Sequence, residues 1–225
     1  MLLGMRMNKT EELEKLYQDM VQCKKCQNVI ANQKSRIVLK NTLDTKIVLM
    51  AQAPGDTGVR LTGVHWNRGD GSLTRSGYFL NKQLIVINLT INLNNNILPR
   101  PYTTNVLQCW PERVGNSKWD RPPKMTQIDN CKKWWQKELE IIQPEIIVFL
   151  GAETTKSFGK AIGKQWIFKN KLESQGEDIT IGEMSLKVFF LPHPAAPFKE
   201  KSYLYRTKSE MYQEVFRQVR DILNP

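Results

Sequence analysis

What this 225-residue chain has little of excludes several classes of protein. No stretch reaches the roughly 20 consecutive apolar residues of a helical membrane span, so no membrane role is expected. The opening MLLGMRMNKT is too short for a signal peptide, which points to the cytoplasm. Cysteine is limited to four, and in a reducing compartment four thiols read as metal ligands or buried apolar residues rather than as structural disulfides. Histidine is limited to two, so imidazole chemistry rests on His65 or His193. There is no internal repeat, low-complexity tract or long linker, and residues 1–225 read as a single domain. Acidic residues are the minority: 22 Asp and Glu face 33 Lys and Arg, a net charge of +11 with a pI near 9.5. That balance favours a polyanionic partner, nucleic acid first.

What is present alternates between strand and helix. Residues 10–22 place Leu13, Leu16, Tyr17 and Met20 at helical spacing. Residues 46–51 (KIVLMA) form a buried-strand run that stops at Pro54-Gly55. A helix over 77–91, a strand over 103–107, a helix over 128–142 and a strand over 145–150 follow, Pro144 separating the last two. A helix over 152–162, a strand over 186–191 and a closing helix over 202–223 complete the pattern. The expected fold is α/β, a three-layer α/β/α sandwich with a central, mostly parallel four-stranded sheet. Ligands of such sheets bind beyond the carboxyl ends of the strands, here residues 52–56, 105–111, 151–153 and 193–197.

Cys23 and Cys26 are separated by two lysines, a spacing that lets two thiolates reach one centre from a single turn. Cys109 and Cys131 supply two more. Four thiolates suit zinc or a four-iron, four-sulfur cluster. The second pair is split by 21 residues, unlike the two tight pairs of a zinc ribbon, and this leans towards the cluster. The plainer alternative is four unrelated buried cysteines. Any such centre reads as structural, because nothing in the chain suggests a redox partner or an open coordination position.

Seven segments occur in one order: CKKC, AQAPGD, TRSGYFLNKQL, TTNVLQCWP, IDNC, LGA and LPHPAA. Together they resemble the uracil-DNA glycosylase superfamily, and most of all its family four, the iron–sulfur members, from Cys23 to the last helix. The resemblance implies a monofunctional enzyme of base excision repair, monomeric and nucleoid-associated. Such an enzyme flips uracil out of single- or double-stranded DNA and hydrolyses its bond to the sugar. It also implies that Cys23, Cys26, Cys109 and Cys131 hold a 4Fe-4S cluster, with zinc as the alternative. Ala51, Gln52, Ala53, Pro54 and Gly55 stand where the family carries GEAPG, whose loop backbone holds the base and the nearby phosphate. Ala53 occupies the position at which the better-known branch has a water-activating Asp, so that carboxylate is absent. Asn105 matches the amide that reads the pyrimidine edge, although a strand-end turn cap is the simpler role for an isolated Asn. His193 matches the second-motif histidine.

The resemblance also implies a leaving-group chemistry for these residues. Cleavage passes through an oxocarbenium-like sugar while negative charge builds on the departing base. A fixed donor at the base O2 stabilises that charge, and His193 is the candidate, acting as a neutral imidazole. Asp56 is the nearest carboxylate, for water activation, for support of the sugar cation or merely for loop capping. Ser72 stands where the family has its stacking Phe, which leaves Trp66, Tyr78 or Phe79 to supply the ring. Phe198 is the apolar candidate for the wedge. Lys199, Lys201, Arg206 and Lys208, with Lys164, Lys169 and Lys171, are candidates for phosphate contacts. His65, in a Gly- and Arg-rich loop, reads as a solvated residue that contacts phosphate at most. Ser72 and the changed first motif also prompt a second reading: a catalytically altered relative that binds nucleic acid, or one that excises another deaminated base such as hypoxanthine. A zinc or iron–sulfur enzyme of unrelated function is the third.

Overall fold

Five strands form one sheet in the computed structural model, which describes residues 7–26, 29, 35–39, 42–56, 58–113, 115–117, 120–172, 175–197 and 207–224. The strands are β1 (Ile47–Ala51), β2 (Tyr102–Asn105), β3 (Ile146–Leu150), β4 (Glu177–Ile181) and β5 (Met184–Leu191), in the spatial order β2-β1-β3-β5-β4. β1 pairs in parallel with β2 and β3, and β3 with β5, whereas β4 runs antiparallel to β5. Every residue of β1 and β3 is buried, because central parallel strands are covered on both faces and their sequences are apolar throughout.

Successive side chains of these strands enter opposite layers. Val48, Met50, Ile147, Phe149, Val188 and Phe190 join one cluster with α1 (Lys9–Val21), α4 (Met125–Ile142) and α5 (Ala152–Ala161). Leu49, Ala51, Val148, Leu150, Phe189 and Leu191 join another with α3 (Arg75–Leu84) and α7 (Lys208–Leu223). Two single-turn helices, α2 (Val59–Thr62) and α6 (Phe168–Lys171), lie in the connections. Each fully buried Leu or Phe contributes about 1.5–3 kcal/mol. Phe158, wedged between Trp135 and Phe149 at ring-centroid distances of 4.7 and 4.6 Å, is a position where truncation to Ala costs about 3–5 kcal/mol.

The three-layer α/β/α architecture is as expected, but the sheet has five strands rather than four. The additional β4 (EDITI) is a half-polar edge strand joined to β5 by the two-residue turn Gly182-Glu183, and its short alternation is a weak signal in the sequence. Local boundaries also move. The helix expected over 77–91 begins at Arg75, where the Thr74 hydroxyl accepts from the Gly77 N–H. It ends at Leu84 in a 3-10 turn, Ile85–Ile87, stopped by Asn88 at φ 59°. The start expected for the last helix, at 202, lies outside the described residues, and α7 opens at Lys208 behind a Thr207–Glu210 capping box.

Candidate functional site

Because β1, β2, β3 and β5 are parallel, their carboxyl ends share one edge, and the four loops expected to carry the site all leave from it. Ala51 and Asn105 are register partners at the ends of β1 and β2. Beyond them the N–H groups of Val106 and Leu107 donate to the carbonyls of Ala51 and Gln52, each at 2.9 Å, stitching the first-motif loop to the segment after Asn105. On the other side of β1, Leu150 pairs with Leu191, so β3 and β5 end together. Gly151 follows with φ +106°, and a Cβ there would lie 3.1 Å from the His193 Cβ. A side chain at 151 is therefore strained by the backbone and crowded by His193.

Asn105 is almost wholly buried, 1% exposed, and its partner is His65. The amide Nδ2 lies 2.8 Å from His65 Nε2, and the other ring nitrogen, Nδ1, lies 3.1 Å from the Thr103 hydroxyl. Asn105 Oδ1 is buried without a hydrogen-bond partner among the described residues, an unmet acceptor in a setting where nearly all buried polar atoms are paired. Gln108 pins the same residue from behind, its Nε2 donating to the Asn105 carbonyl at 2.8 Å. The expectation of a solvated His65 is thus overturned: the residue is 7% exposed and faces the strand. Burial, with the Arg36 charge adding to it, holds its pKa well below the usual histidine value, and the Asn105 hydrogen bond opposes this only in part.

The loop around His65 explains its position. Asn67 Nδ2 donates to the His65 carbonyl at 2.8 Å and to the Ile91 carbonyl at 3.3 Å. Trp66 adopts φ 58° and packs into the α3/α7 layer. Gly77 makes that packing possible, since a Cβ there would stand 2.6 Å from the Trp66 carbonyl oxygen and 2.8 Å from its Cβ.

On the opposite face of β2 lies a buried polar network. Arg36 bonds Glu138, Thr104 and the Thr103 carbonyl, while Glu138 also accepts from Tyr102 and Thr104, and Tyr17 bonds Tyr102. Burial opposes the Arg36 charge, but the adjacent Glu138 prevails and pushes its pKa up.

His193 is held differently. Its Nδ1 accepts from the Ala195 N–H at 3.2 Å, which leaves the ring proton of the neutral form on Nε2. Burial, and secondarily the Lys208 charge, pull its pKa down to about 4 against a weaker pull from Asp120, so the ring is neutral at pH 7. Lys208 donates to the carbonyls of Pro194 at 2.8 Å and Ala196 at 3.2 Å and lies over the Phe79 ring. Its ammonium thus ties the His193 loop to α7.

The remaining expected residues are placed as follows. Gln52 and Ala53 are half-buried, Gly55 is exposed, and Asp56 is ion-paired with Arg60 at 2.5 Å. The Arg60 guanidinium in turn lies 5.0 Å from the Trp110 ring centroid. Ser72 sits in a tight turn, bonded to Asp70 through both its N–H and its hydroxyl, and is no substitute for a stacking ring. Of the three aromatic alternatives, Tyr78 is 70% exposed, Phe79 packs edge-on against Tyr212, and Trp66 lies 5.6 Å from the His65 ring. Lys164 and Lys171 are both paired with Glu177, at 2.8 and 2.5 Å, whereas Lys169 is exposed. Phe198, Lys199, Lys201 and Arg206 lie outside the described residues.

The four cysteines line one cavity of about 190 Å³, together with Met20, Gln108, Asn130 and Trp134. It is formed where the end of α1 meets α4 and the segment after β2. None of the four is in a disulfide. Burial, reinforced by the neighbouring thiols, raises Cys109 to about 11; burial is also the main cause raising Cys131 to about 12. Asn130 donates to the Cys26 sulfur at 3.6 Å and to the Lys25 carbonyl at 3.2 Å, holding the CxxC loop against α4. Among the described residues, no group of three or more His, Cys, Asp or Glu converges as for a single metal ion. No helix among them is long and apolar enough to cross a membrane.

Fold and site define an α/β protein with its polar residues gathered at the carboxyl edge of a parallel sheet, and with a thiol-lined cavity beside that edge. The chain belongs to the uracil DNA glycosylase superfamily, whose family model matches residues 39–220. Two curated relatives bear the name type-4 uracil-DNA glycosylase. The one from Sulfurisphaera tokodaii is 22% identical over 212 residues, covering 94% of this chain and 85% of the relative. The one from Archaeoglobus fulgidus is 22% identical over 214 residues, covering 94% of each.

Proposed function

We propose that this chain is a monofunctional uracil-DNA glycosylase, which extrudes uracil from DNA and hydrolyses its N-glycosidic bond to leave an abasic site for base excision repair. The observation that carries the reading is the shared edge, with a buried Asn105 Oδ1 that has no partner among the described residues at the end of β2 and a neutral imidazole donor, His193, just beyond β5. In this reading Asn105 Oδ1 accepts from the uracil N3–H and its amide donates to O4. The loop 51–55 backs the base, and the His193 Nε2–H meets the charge that develops on O2. A neutral donor suits this task, because it stabilises the leaving anion without itself having to lose a proton.

Ala53 offers no carboxylate to water, and Asp56 is engaged by Arg60. With its carboxylate held by Arg60, the role proposed for Asp56 is to hold the first-motif loop and to oppose the positive charge of the sugar. Trp66 is the proposed stacking ring, since it adjoins the imidazole that touches Asn105.

Cys23, Cys26, Cys109 and Cys131 are proposed to hold a 4Fe-4S cluster. A single tetrahedral zinc draws its sulfurs to about 2.3 Å from one point. A 190 Å³ space walled by four thiols instead suits a polynuclear centre, and Asn130 supplies a hydrogen bond to one sulfur. Bound there, the cluster would serve as a structural crosslink between the CxxC loop, α4 and the strand end that carries Asn105. Purified protein is expected to be brown and to contain iron; colourless protein containing zinc would overturn the assignment.

The activity is tested by incubating the protein with single- and double-stranded oligonucleotides that carry uracil, hypoxanthine or a thymine mismatch, then cleaving with alkali. Alkali-labile sites at uracil are the expected result. Sites at hypoxanthine alone would favour the altered-specificity reading, and none at any base would favour a binding relative. A borohydride-trapped protein–DNA adduct would contradict monofunctional hydrolysis. The basic surface predicts that excision falls steeply with added salt.

A further inference from the structure

We infer that His65 is a positioning residue that locks the Asn105 amide in the orientation selecting uracil over cytosine, an inference that rests on the reading of Asn105 as the base-facing residue. A primary amide is nearly symmetric in shape but opposite in hydrogen bonding at its two ends. With Oδ1 turned to the base N3 position and Nδ2 to position 4, it complements uracil. Flipped end for end, it complements cytosine, which presents an acceptor at N3 and a donor at position 4. Selectivity therefore requires that the rotation be blocked.

The structure supplies the block. Asn105 Nδ2 lies 2.8 Å from His65 Nε2, and His65 Nδ1 lies 3.1 Å from the Thr103 hydroxyl. A ring that donates from Nδ1 to Thr103 keeps a lone pair on Nε2, and that lone pair accepts one amide hydrogen of Asn105. The second amide hydrogen and the unsatisfied Oδ1 remain for the base. Turning the amide would set Oδ1 against the Nε2 lone pair, two acceptors in contact. His65 itself is held on several sides: Thr103 and Asn105 bond its ring from β2, Arg36 adds its charge to the burial that keeps the ring neutral, and Asn67 fixes its carbonyl.

The test measures excision of uracil and of cytosine from otherwise identical single-stranded oligonucleotides, with circular dichroism of each variant. For His65→Ala, uracil excision is expected to fall about 10–100-fold and the uracil-to-cytosine ratio by at least about tenfold, the range set by one unmet buried hydrogen bond. His65→Gln, whose amide oxygen can accept in place of Nε2, is expected to recover most of both. A folded His65→Ala with an unchanged ratio overturns the inference, as does a His65→Gln no better than the Ala variant. Should His65→Ala not fold, Thr103→Val carries the test by freeing the tautomer: a lowered ratio supports the lock and an unchanged one overturns it. Asn105→Ala separates the two levels. If it excises uracil normally, the base-facing reading fails; if it is inactive while His65→Ala behaves as wild type, only the lock fails.

Discussion

His65 and His193 sit at the same sheet edge, and both are kept neutral by burial beside a cation, Arg36 for the first and Lys208 for the second. Their hydrogen bonding separates them. His65 uses both ring nitrogens within the protein, on Thr103 and Asn105, whereas His193 uses Nδ1 on Ala195 and has no partner on Nε2 among the described residues. An imidazole with both nitrogens engaged is a strut; one with a free N–H, partly exposed, can meet a substrate. In the proposed mechanism, the number of engaged nitrogens, rather than burial or the direction of the pKa shift, separates the residue proposed to orient from the one proposed to act.

The largest expected effect lies on the acting side. His193→Ala should lower single-turnover excision of uracil by about 100–1,000-fold, the usual consequence of removing one preorganised donor. Its melting temperature should move little, since among the described residues the ring's one hydrogen bond is to its own turn. A variant within tenfold of wild type would reverse the comparison and leave the leaving group without its donor.

On the strut side the expected effect is on stability. Glu138 is fully buried and bonded by Arg36, Tyr102 and Thr104 on the face of β2 away from His65. Glu138→Leu leaves the Arg36 cation buried without its carboxylate, at a cost of about 3–5 kcal/mol. For a chain of this length that corresponds to a melting temperature lower by roughly 6–20 °C. Calorimetry showing a shift below about 2 °C would mean that the network is not holding this strand.

How much of this is legible in the sequence depends on where the signal lies. Buried parallel strands declare themselves in apolar runs such as IVLMA and IIVFL, and the carboxyl edge follows from their alternation with helices. Asn105 and His193 stand out because TTNVLQCWP and LPHPAA match the family's motifs in order, one at the end of a strand and the other just past one. The edge strand β4 escapes because half of its residues face solvent. His65 escapes for a different reason: it follows Gly63 in a loop studded with Gly and Arg, a composition that usually marks solvated chain. Its burial is decided by partners distant in sequence, Thr103, Asn105 and Arg36, which no local pattern encodes. Two features nearby do hint at a built loop, Gly77 three residues into a Thr-capped helix and the large apolar Trp66, but their meaning appears only once Trp66 is seen packed against the Gly77 backbone.

Acid titration sharpens the comparison at an intermediate scale. With only two histidines, imidazole resonances report each ring separately. His193 is expected to titrate near pH 4, and His65 well below the ordinary value near 6.5. Both folded values lie below the unfolded one, so between about pH 6.5 and 4 the unfolded chain binds protons that the folded chain refuses, and stability is lost as the pH falls through that window. Excision should stay level from pH 7 to about 5 and decline below it, because protonating Nδ1 of His193 breaks its bond from the Ala195 N–H. A decline centred near 6.5 would show that the rings are ordinary exposed histidines.

The smallest expected effect concerns the cation beside the acting ring. Lys208 donates to the Pro194 and Ala196 carbonyls, and its charge lowers the His193 pKa. Lys208→Met keeps the aliphatic stem over Phe79 but removes both bonds and the charge. The His193 pKa should therefore rise from about 4 towards the ordinary value, and excision at pH 7.5 should fall by less than about tenfold, since the Ala195 bond still sets the tautomer. The two readouts divide the roles of the lysine. A raised pKa with unchanged excision assigns Lys208 to electrostatics alone, and a large loss of excision with an unchanged pKa assigns it to the geometry of the loop. His65 keeps its own cation, Arg36, in this variant. Its resonance should therefore match that of wild type, and any shift would mean that the two imidazoles are coupled.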